Sequence, residues 1–234
     1  MASTDRFELR LFGRDLSRAA DALVAMAESR EAGEAGLSRE AYLLRRRELR
    51  HNLKARNGKL ELKTLVEMQG GLQRWHPQVT LALPEAAEDP AAGTARREPL
   101  PAIVVELLGP ALRTEPGVQP QLPADLSALA ARLDADGGRT IVHVVKRRRR
   151  LALGEVQGEV VDLAVNGAGL HSVALECEDP EKLRATAVAA GLDGAENVSY
   201  LLALHRLLGW QPLPDDSPDR AWPAAPARPS SADR

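Results

Sequence analysis

The sequence has few cysteines and few aromatic residues, and it lacks a long apolar run. Cys177 is the only cysteine among 234 residues, which excludes an internal disulfide framework and a cysteine-rich zinc site. Aromatic residues make up 3% of the chain, so alanine and leucine must do most of the packing in a core. The first ten residues contain no apolar signal core, and no segment reaches the length of a membrane helix. We therefore expect a cytoplasmic protein without membrane association.

An excess of positive charge is also missing. The formal net charge is −2, whereas a typical nucleic-acid binder is globally basic. The scarcity of aromatic side chains on which bases could stack argues further against RNA as a partner. Any site for an anion must therefore come from the local segregation of charge along the chain.

The periodicity of apolar residues predicts an α+β fold with antiparallel strands, because strands and helices come in blocks and not in a βαβ alternation. Strands are predicted at 6–12, 41–49, 52–65 (a hairpin), 78–84, 140–154, 155–167 and 170–178. Helices are predicted at 15–29, 101–109, 123–138, 180–192 and 196–209. The composition predicts a mobile loop at 84–100 and a disordered Pro/Ala/Ser tail at 213–234, leaving 1–212 as a single domain.

Residues 52–65 contain the clearest hairpin pattern. Asn57-Gly58 tolerates the positive φ angles of a type I′ turn, and a two-residue loop sets Lys54 opposite Glu61. Because side chains alternate along a strand, Lys54, Arg56, Lys59, Glu61 and Lys63 share one face, and Leu53, Ala55, Leu60 and Leu62 share the other. The charged face is either solvated or holds a polyanion. The hairpin alone leaves both interpretations open.

The later strands separate cations from carboxylates. One face of 140–154 carries Lys146, Arg148 and Arg150, the polar face of 170–178 carries Glu176 and Glu178, and the strand between them offers Glu159 and, with opposite parity, Asp162. If these strands closed into a barrel with their apolar faces outward, an acidic wall and a basic wall would line its lumen. Such a lumen suits a phosphate chain bridged by a divalent cation. Solvated strand faces or a nucleic-acid contact are the alternatives.

These pieces, in this order, resemble the CYTH superfamily, the triphosphate tunnel metalloenzymes. The family's opening E-x-E-x-K aligns with Arg6-x-Glu8-x-Arg10, and its basic hairpin aligns with Lys54-x-Arg56 and Lys63. Its later K-x-R and E-x-E motifs align with Lys146-x-Arg148 and Glu176-x-Glu178, and its final Ser-Tyr-leucine helix aligns with 199–202. The resemblance covers residues 5–209 apart from the loop at 84–100.

The resemblance implies a tunnel-like antiparallel β-barrel with flanking helices and a triphosphatase that depends on Mg²⁺ or Mn²⁺. The substrate would be a small molecule with a triphosphate group: inorganic triphosphate, thiamine triphosphate or a nucleoside triphosphate. The substrate-binding residues that it implies are Arg10, Lys54, Arg56, Lys63, Lys146 and Arg148. The metal ligands that it implies are Glu8, Glu159, Asp162, Glu176 and Glu178, of which Glu8, Glu176 and Glu178 would also take part in catalysis. Either Glu159 or Asp162 would face the lumen, and a homodimer is left open.

Two positions depart from the family pattern. Arg6 stands where the family has its first glutamate, which removes a carboxylate and adds a positive charge. Arg10 stands where the family has a lysine, which keeps the charge but changes the geometry of the donors. The alternative function is therefore a CYTH-like module that binds polyphosphate or a nucleotide with weak catalysis or none.

Overall fold

The structure is a computed structural model, which describes residues 5–27, 36–83, 100–112, 133 and 138–213. The loop predicted at 84–100 lies almost wholly outside these residues, as do the tail beyond 213 and most of the helix predicted at 123–138. The domain boundaries therefore stay predictions. Within the described part of the chain, no helix has both the length and the apolar character needed to cross a bilayer.

Eight antiparallel strands close into one barrel. They are β1 (Arg6–Gly13), β2 (Gly36–Arg45), β3 (His51–Arg56), β4 (Lys59–Gln69), β5 (Leu72–Ala82), β6 (Arg139–Leu153), β7 (Val156–Val165) and β8 (Ala168–Cys177). Their order around the barrel is β1-β5-β4-β3-β2-β6-β7-β8. The flanking helices in the described residues are α1 (Ser17–Met26), α2 (Ala102–Leu108), α3 (Pro180–Ala189) and α4 (Tyr200–Leu207), with a 3₁₀ turn at Gly109–Leu112. The predicted fold class, an antiparallel barrel with flanking helices, is confirmed.

The β3–β4 hairpin forms as its sequence predicts. Asn57 and Gly58 have φ angles of 48° and 68°, the positive values that a type I′ turn requires. The register places Lys54 opposite Glu61 and Arg56 opposite Lys59. The hairpin therefore has one apolar face and one charged face, and the closed barrel decides where each of them points.

The strands predicted at 41–49 and 78–84 both begin too late. β2 starts at Gly36 and ends at Arg45, where the chain enters a turn with Arg47 at a φ of 68°. β5 starts at Leu72 and runs through Pro77. Proline has no N–H to donate to a neighbouring strand, and the pairing of β4 with β5 shifts register opposite Pro77. The barrel accommodates this proline through the irregularity.

The outward faces of the strands pack against helices. Leu53, Leu60 and Leu62 of the hairpin are buried in one cluster with Val104 and Leu108 of α2. A second cluster joins outward residues of β1 and β8 to α1 and α3, among them Phe7, Leu9, Val173, Leu175, Leu23 and Leu183. Each fully buried side chain of this kind contributes about 1.5–3 kcal/mol. Apolar burial outside the barrel leaves charged faces to line the inside.

The inside of the barrel changes character along its axis. At one end, the lumen-facing side chains Val144 of β6, Val161 of β7 and Tyr42 of β2 pack with Tyr200 and Leu204 of α4. Ser199 caps α4 by accepting a hydrogen bond from the Leu202 N–H (3.2 Å), which orients the first turn of the helix. Further along the same face of β6 come Lys146, Arg148 and Arg150. The apolar layer with α4 therefore forms the floor beneath a charged half of the lumen.

Candidate functional site

The charged half of the lumen encloses a cavity of about 540 Å³, a size typical of small-molecule sites. Its lining contains most of the site residues predicted from the sequence: Glu8, Arg10, Lys54, Arg56, Lys63, Lys146, Arg148, Glu159 and Glu176. Arg150 of β6 lines it as well. Residues from both halves of the sequence therefore meet in one cavity.

Two predicted site residues lie elsewhere. Asp162 sits on the outer face of β7, where its carboxylate contacts the His171 Nδ1 at 2.9 Å. Its parity is opposite to that of Glu159, so Glu159 is the acidic residue of β7 that faces the cavity. Glu178 is exposed, one residue beyond β8, and lines a separate depression together with Arg6. The choice left open between Glu159 and Asp162 therefore falls to Glu159, and the expectation that Glu178 lines the lumen is wrong.

A buried glutamate that the sequence analysis missed organises the cationic wall. The carboxylate of Glu40 on β2 has no solvent exposure. Its Oε2 accepts hydrogen bonds from Lys146 Nζ (2.7 Å) and from the Tyr42 hydroxyl (2.8 Å). The cations within ion-pair distance of Glu40, between 2.7 and 3.7 Å, are Lys54, Arg56, Lys146 and Arg148. Burial alone would raise the pKa of Glu40, but Lys54 and Lys146 outweigh it and hold this pKa far below its usual value.

The pKa values of Lys54 and Lys146 are also lowered, which in a lysine disfavours the charged form. Burial lowers the pKa of Lys54 to about 8, although Glu40 opposes the shift. Burial and the neighbouring charge of Lys54 bring the pKa of Lys146 well below its usual value. The Lys146 Nζ also lies 3.6 Å from the centre of the Tyr200 ring. More positive charge is thus gathered here than Glu40 alone can compensate, and a further anion in the cavity would stabilise it.

Arg56 and Arg148 are the more accessible members of the wall. Their side chains are 29% and 16% exposed. Arg56 Nε bonds Glu61 at 2.9–3.0 Å, and Arg148 Nε lies 2.9 Å from Glu159. Both guanidinium groups keep further N–H donors in a planar fork that matches the geometry of phosphate oxygens. These two arginines are therefore placed to contact a ligand directly.

On the opposite wall, Arg10 stands among three carboxylates from three strands. Its Nε donates to Glu8 of β1 (2.8 Å), its Nη1 donates to Glu159 of β7 (3.0 Å), and its Nη2 lies 3.6 Å from Glu176 of β8. Nη1 also donates to the Ser172 hydroxyl (3.2 Å). Burial opposes the charge of Arg10, but Glu8 and Glu159 overcome it and raise its pKa well above the usual value.

The carboxylates around Arg10 differ in proton affinity. Burial raises the pKa of Glu159, yet Arg10 and Arg148 outweigh this and bring it below its usual value. Burial raises the pKa of Glu176, and Glu8, directly opposite on β1, raises it further. Glu159 is therefore held ionised, whereas Glu176 binds a proton more readily than an ordinary glutamate does.

The carboxylate set fits a divalent cation poorly. Arg10 occupies the space between Glu8, Glu159 and Glu176, so a metal ion would have to displace a guanidinium that already satisfies them. Across the described ranges, no three acidic, histidine or cysteine side chains converge in a way that would hold an ion. The divalent metal implied by the family resemblance therefore has no ready ligand set among these residues.

Only a faint sequence pattern could have identified Glu40. Glu40 and Tyr42 alternate with the outward-facing Ala41 and Leu43, which is a strand pattern that starts within a polar stretch. The strand predicted at 41–49 begins one residue after Glu40, so the prediction leaves this glutamate outside the strand. A glutamate in a strand is normally taken as exposed, and only the closed barrel reveals that this one is buried.

Comparison with known proteins gives structural neighbours alone. No family model and no curated protein match the chain. A conserved hypothetical protein from Pyrococcus furiosus superposes with a TM-score of 0.45 at 16% identity, covering 84% of this chain and 98% of its own. A "putative adenylate cyclase" from Bacillus halodurans gives 0.44 at 9% identity, covering 86% and 98%. A "putative adenylyl cyclase" from Hippeastrum, described as having a dominant triphosphatase activity, gives 0.43 at 13% identity, covering 89% and 98%. At these scores, the fold assignment rests on the strand pairing itself.

Proposed function

We propose that the barrel lumen binds the triphosphate group of a small molecule, and that the chain is a CYTH-like triphosphate-tunnel protein. The observation that carries the proposal is the cationic wall of Lys54, Arg56, Lys146 and Arg148 around a cavity of about 540 Å³. A single buried carboxylate, Glu40, contacts all four cations. Lys54 and Arg56 also contact Glu61, and Arg148 also contacts Glu159. Seven cationic side chains nevertheless line the cavity, and because buried charges are costly unless they are paired, this excess favours a ligand that carries several negative charges.

The hydrogen-bonding capacity of the wall supports the same ligand. Lys146 uses two of its three N–H donors on Glu40 and Tyr42. Lys63 and Arg150 extend the positive surface along the cavity. A triphosphate is a chain of anionic groups whose oxygens accept hydrogen bonds throughout its length, so it can engage the deep lysines and the outer arginines together.

Tripolyphosphate is expected to raise the melting temperature, because a ligand that binds only the folded state stabilises it, by about 2.7 kcal/mol at a hundred times Kd. Arg56→Ala is expected to lose most of this shift, since it removes an accessible fork of donors from the wall. Arg149→Ala is the matched control, because Arg149 is exposed on the outer face of β6. Differential scanning calorimetry with and without ligand measures the shift. Equal shifts in both variants would place the anion site outside the lumen.

Hydrolysis of a phosphoanhydride bond in the bound chain is the second candidate function, and Glu176 is the observation that favours it. Phosphoryl transfer needs positioning and charge neutralisation more than covalent chemistry, and the cationic wall offers both. Glu176 lines the cavity, and its pKa is raised by burial and by Glu8. A carboxylate with a raised pKa is a stronger base toward the proton of an attacking water than an ordinary carboxylate is.

Phosphate release from tripolyphosphate, thiamine triphosphate and nucleoside triphosphates, each with Mg²⁺, Mn²⁺ or EDTA, tests this second function. Glu176→Gln is expected to slow release by about a hundredfold or more while binding is kept, since positioned proton transfer contributes about 10²–10⁴-fold. Glu155→Gln is the control, because Glu155 is an exposed residue paired with Lys182 outside the lumen cavity. Binding without release under every condition would leave a phosphate-binding module.

A further inference from the structure

We propose that Arg10 is the built-in cation of the acidic wall, and that the lumen therefore binds a triphosphate group without a divalent metal. This inference rests on the proposed function for its ligand. Its structural basis is separate, because it concerns only what holds Glu8, Glu159 and Glu176 together. These three carboxylates come from β1, β7 and β8, and the guanidinium of Arg10 lies within 2.8–3.6 Å of each of them.

The position of Arg10 is fixed by more than its ion pairs. Its side chain is only 4% exposed, and its guanidinium carbon lies 4.8 Å from the centre of the Tyr200 ring. The backbone is held too: the side-chain oxygen of Asn197 accepts from the Arg10 N–H (2.9 Å), and its side-chain nitrogen donates to the Glu8 carbonyl (2.6 Å). Arg10 therefore cannot swing away from the carboxylates without also losing the contacts of its guanidinium with the Ser172 hydroxyl and the Tyr200 ring.

A divalent ion and this guanidinium compete for the same place. An ion coordinated by Glu8 and Glu159 would come within a few ångströms of Arg10, where like charges repel strongly because the surroundings are poorly solvated. Arginine stays protonated at any ordinary pH, so the repulsion cannot be relieved by the loss of a proton. The acidic wall is therefore neutralised by a residue of the chain itself.

The consequence for ligand binding is that the lumen is expected to bind tripolyphosphate without a divalent metal. With Arg10 in place, the carboxylates need no ion to prevent them from repelling phosphate oxygens, and the cationic wall faces the bare anion. Mg²⁺ in solution would also bind tripolyphosphate and so compete with the protein for it. We expect the affinity for tripolyphosphate in EDTA to equal or exceed the affinity in Mg²⁺.

Two titrations of the intact chain test the inference. Isothermal calorimetry of tripolyphosphate in EDTA and in Mg²⁺ measures the metal requirement, and a Mn²⁺ titration without phosphate, followed by electron paramagnetic resonance, measures metal binding directly. Arg10→Met, which opens the carboxylate triangle, is expected to bind Mn²⁺ at least about tenfold more tightly than the wild type, a difference of about 1.4 kcal/mol. The same variant is expected to lose affinity for tripolyphosphate in EDTA and to recover it when Mn²⁺ is added. Arg149→Met, which removes an exposed arginine on the outer face of β6, is the control and is expected to bind Mn²⁺ as weakly as the wild type.

The wild-type titrations decide the inference even if Arg10→Met does not fold. Tight Mn²⁺ binding by the wild type without phosphate, or tripolyphosphate binding only in the presence of metal, would overturn it while the proposed function stands. The absence of tripolyphosphate binding in both EDTA and Mg²⁺ would instead overturn the proposed function. The Mn²⁺ titration would then still show whether Arg10 keeps a divalent ion out of the acidic wall.

Discussion

Glu40→Gln is expected to lower the free energy of unfolding by about 3–5 kcal/mol, the loss typical when one partner is removed from a buried ion pair. The substitution keeps the size of the side chain but leaves Lys54 and Lys146 buried without their shared carboxylate. Lys146 is only 1% exposed and donates directly to Glu40 at 2.7 Å. To avoid a buried unpaired charge the lysines would have to lose their protons, which costs free energy as well.

Urea denaturation at neutral pH measures this loss, with Glu61→Gln as the matched control. Glu61 also contacts Arg56 and Lys54, but its side chain is 18% exposed whereas that of Glu40 has no exposure, so its removal is expected to cost less than the removal of Glu40 does. The double variant Glu40→Gln/Lys146→Met is expected to regain part of the stability, because it removes a cation along with its anion. Equal losses for Glu40→Gln and Glu61→Gln would show that Glu40 does not organise the cationic wall.

Acidification is expected to destabilise the folded protein in part by protonating Glu40. The pKa of Glu40 is lowered in the folded state, so its contribution to stability is present above the pKa of the unfolded chain and is lost as the pH falls through the folded value. Wild-type stability should therefore decline on acidification below the usual carboxyl range. Glu40→Gln should show a shallower decline in denaturation midpoints measured as a function of pH.

The sequence predicts the parts of this molecule that depend on strict alternation. Lys54 and Arg56 share a face because they are two residues apart, and Asn57-Gly58 fixes the register that puts Lys54 opposite Glu61. Alternation also places Glu159 and Asp162 on opposite faces of one strand, but only the closed barrel reveals that Glu159 is on the inner side. Local pattern thus fixes which side chains share a face, and tertiary closure fixes which face is inside.

The sequence does not predict the pairing of charges within the lumen. Glu40 reaches Lys146 across 106 positions of sequence, and Arg10 reaches Glu159 across 149. These contacts depend on the packing of β2 against β6 and on the closure of β1 onto β8. Arg10 aligns with a family lysine that the resemblance assigns to the substrate, and only the folded barrel surrounds it with three carboxylates. Long-range register therefore determines the electrostatics of this site.

The affinity for tripolyphosphate is expected to fall as the pH rises through about 8. The pKa of Lys54 in the ligand-free protein is lowered to about 8, first by burial and then by the nearby cations Arg56 and Lys63. An anion in the cavity favours the protonated amine, so above this pH the protein must take up a proton on binding. Affinity should then drop by up to about tenfold per pH unit, until the pKa of the complex is reached.

Lys54→Arg separates this effect from the ionisation of the ligand itself. Arginine keeps its charge throughout the range, so the affinity of this variant should depend on pH only as the ligand and the remaining groups dictate. Calorimetric titrations of both proteins between pH 6.5 and pH 9.5 measure the difference, since this range covers about 1.5 units on either side of the Lys54 pKa. Parallel profiles of affinity against pH would exclude Lys54 from the binding site.

The stability of the ligand-free wild type should change with pH in the opposite direction to the affinity. Between pH 8 and the usual lysine value of 10.5, the unfolded chain holds more protons on Lys54 than the folded chain does, so the Lys54 contribution to stability rises with pH. A rising contribution to stability together with a falling affinity is the combination expected of a buried lysine whose missing counter-charge is the ligand.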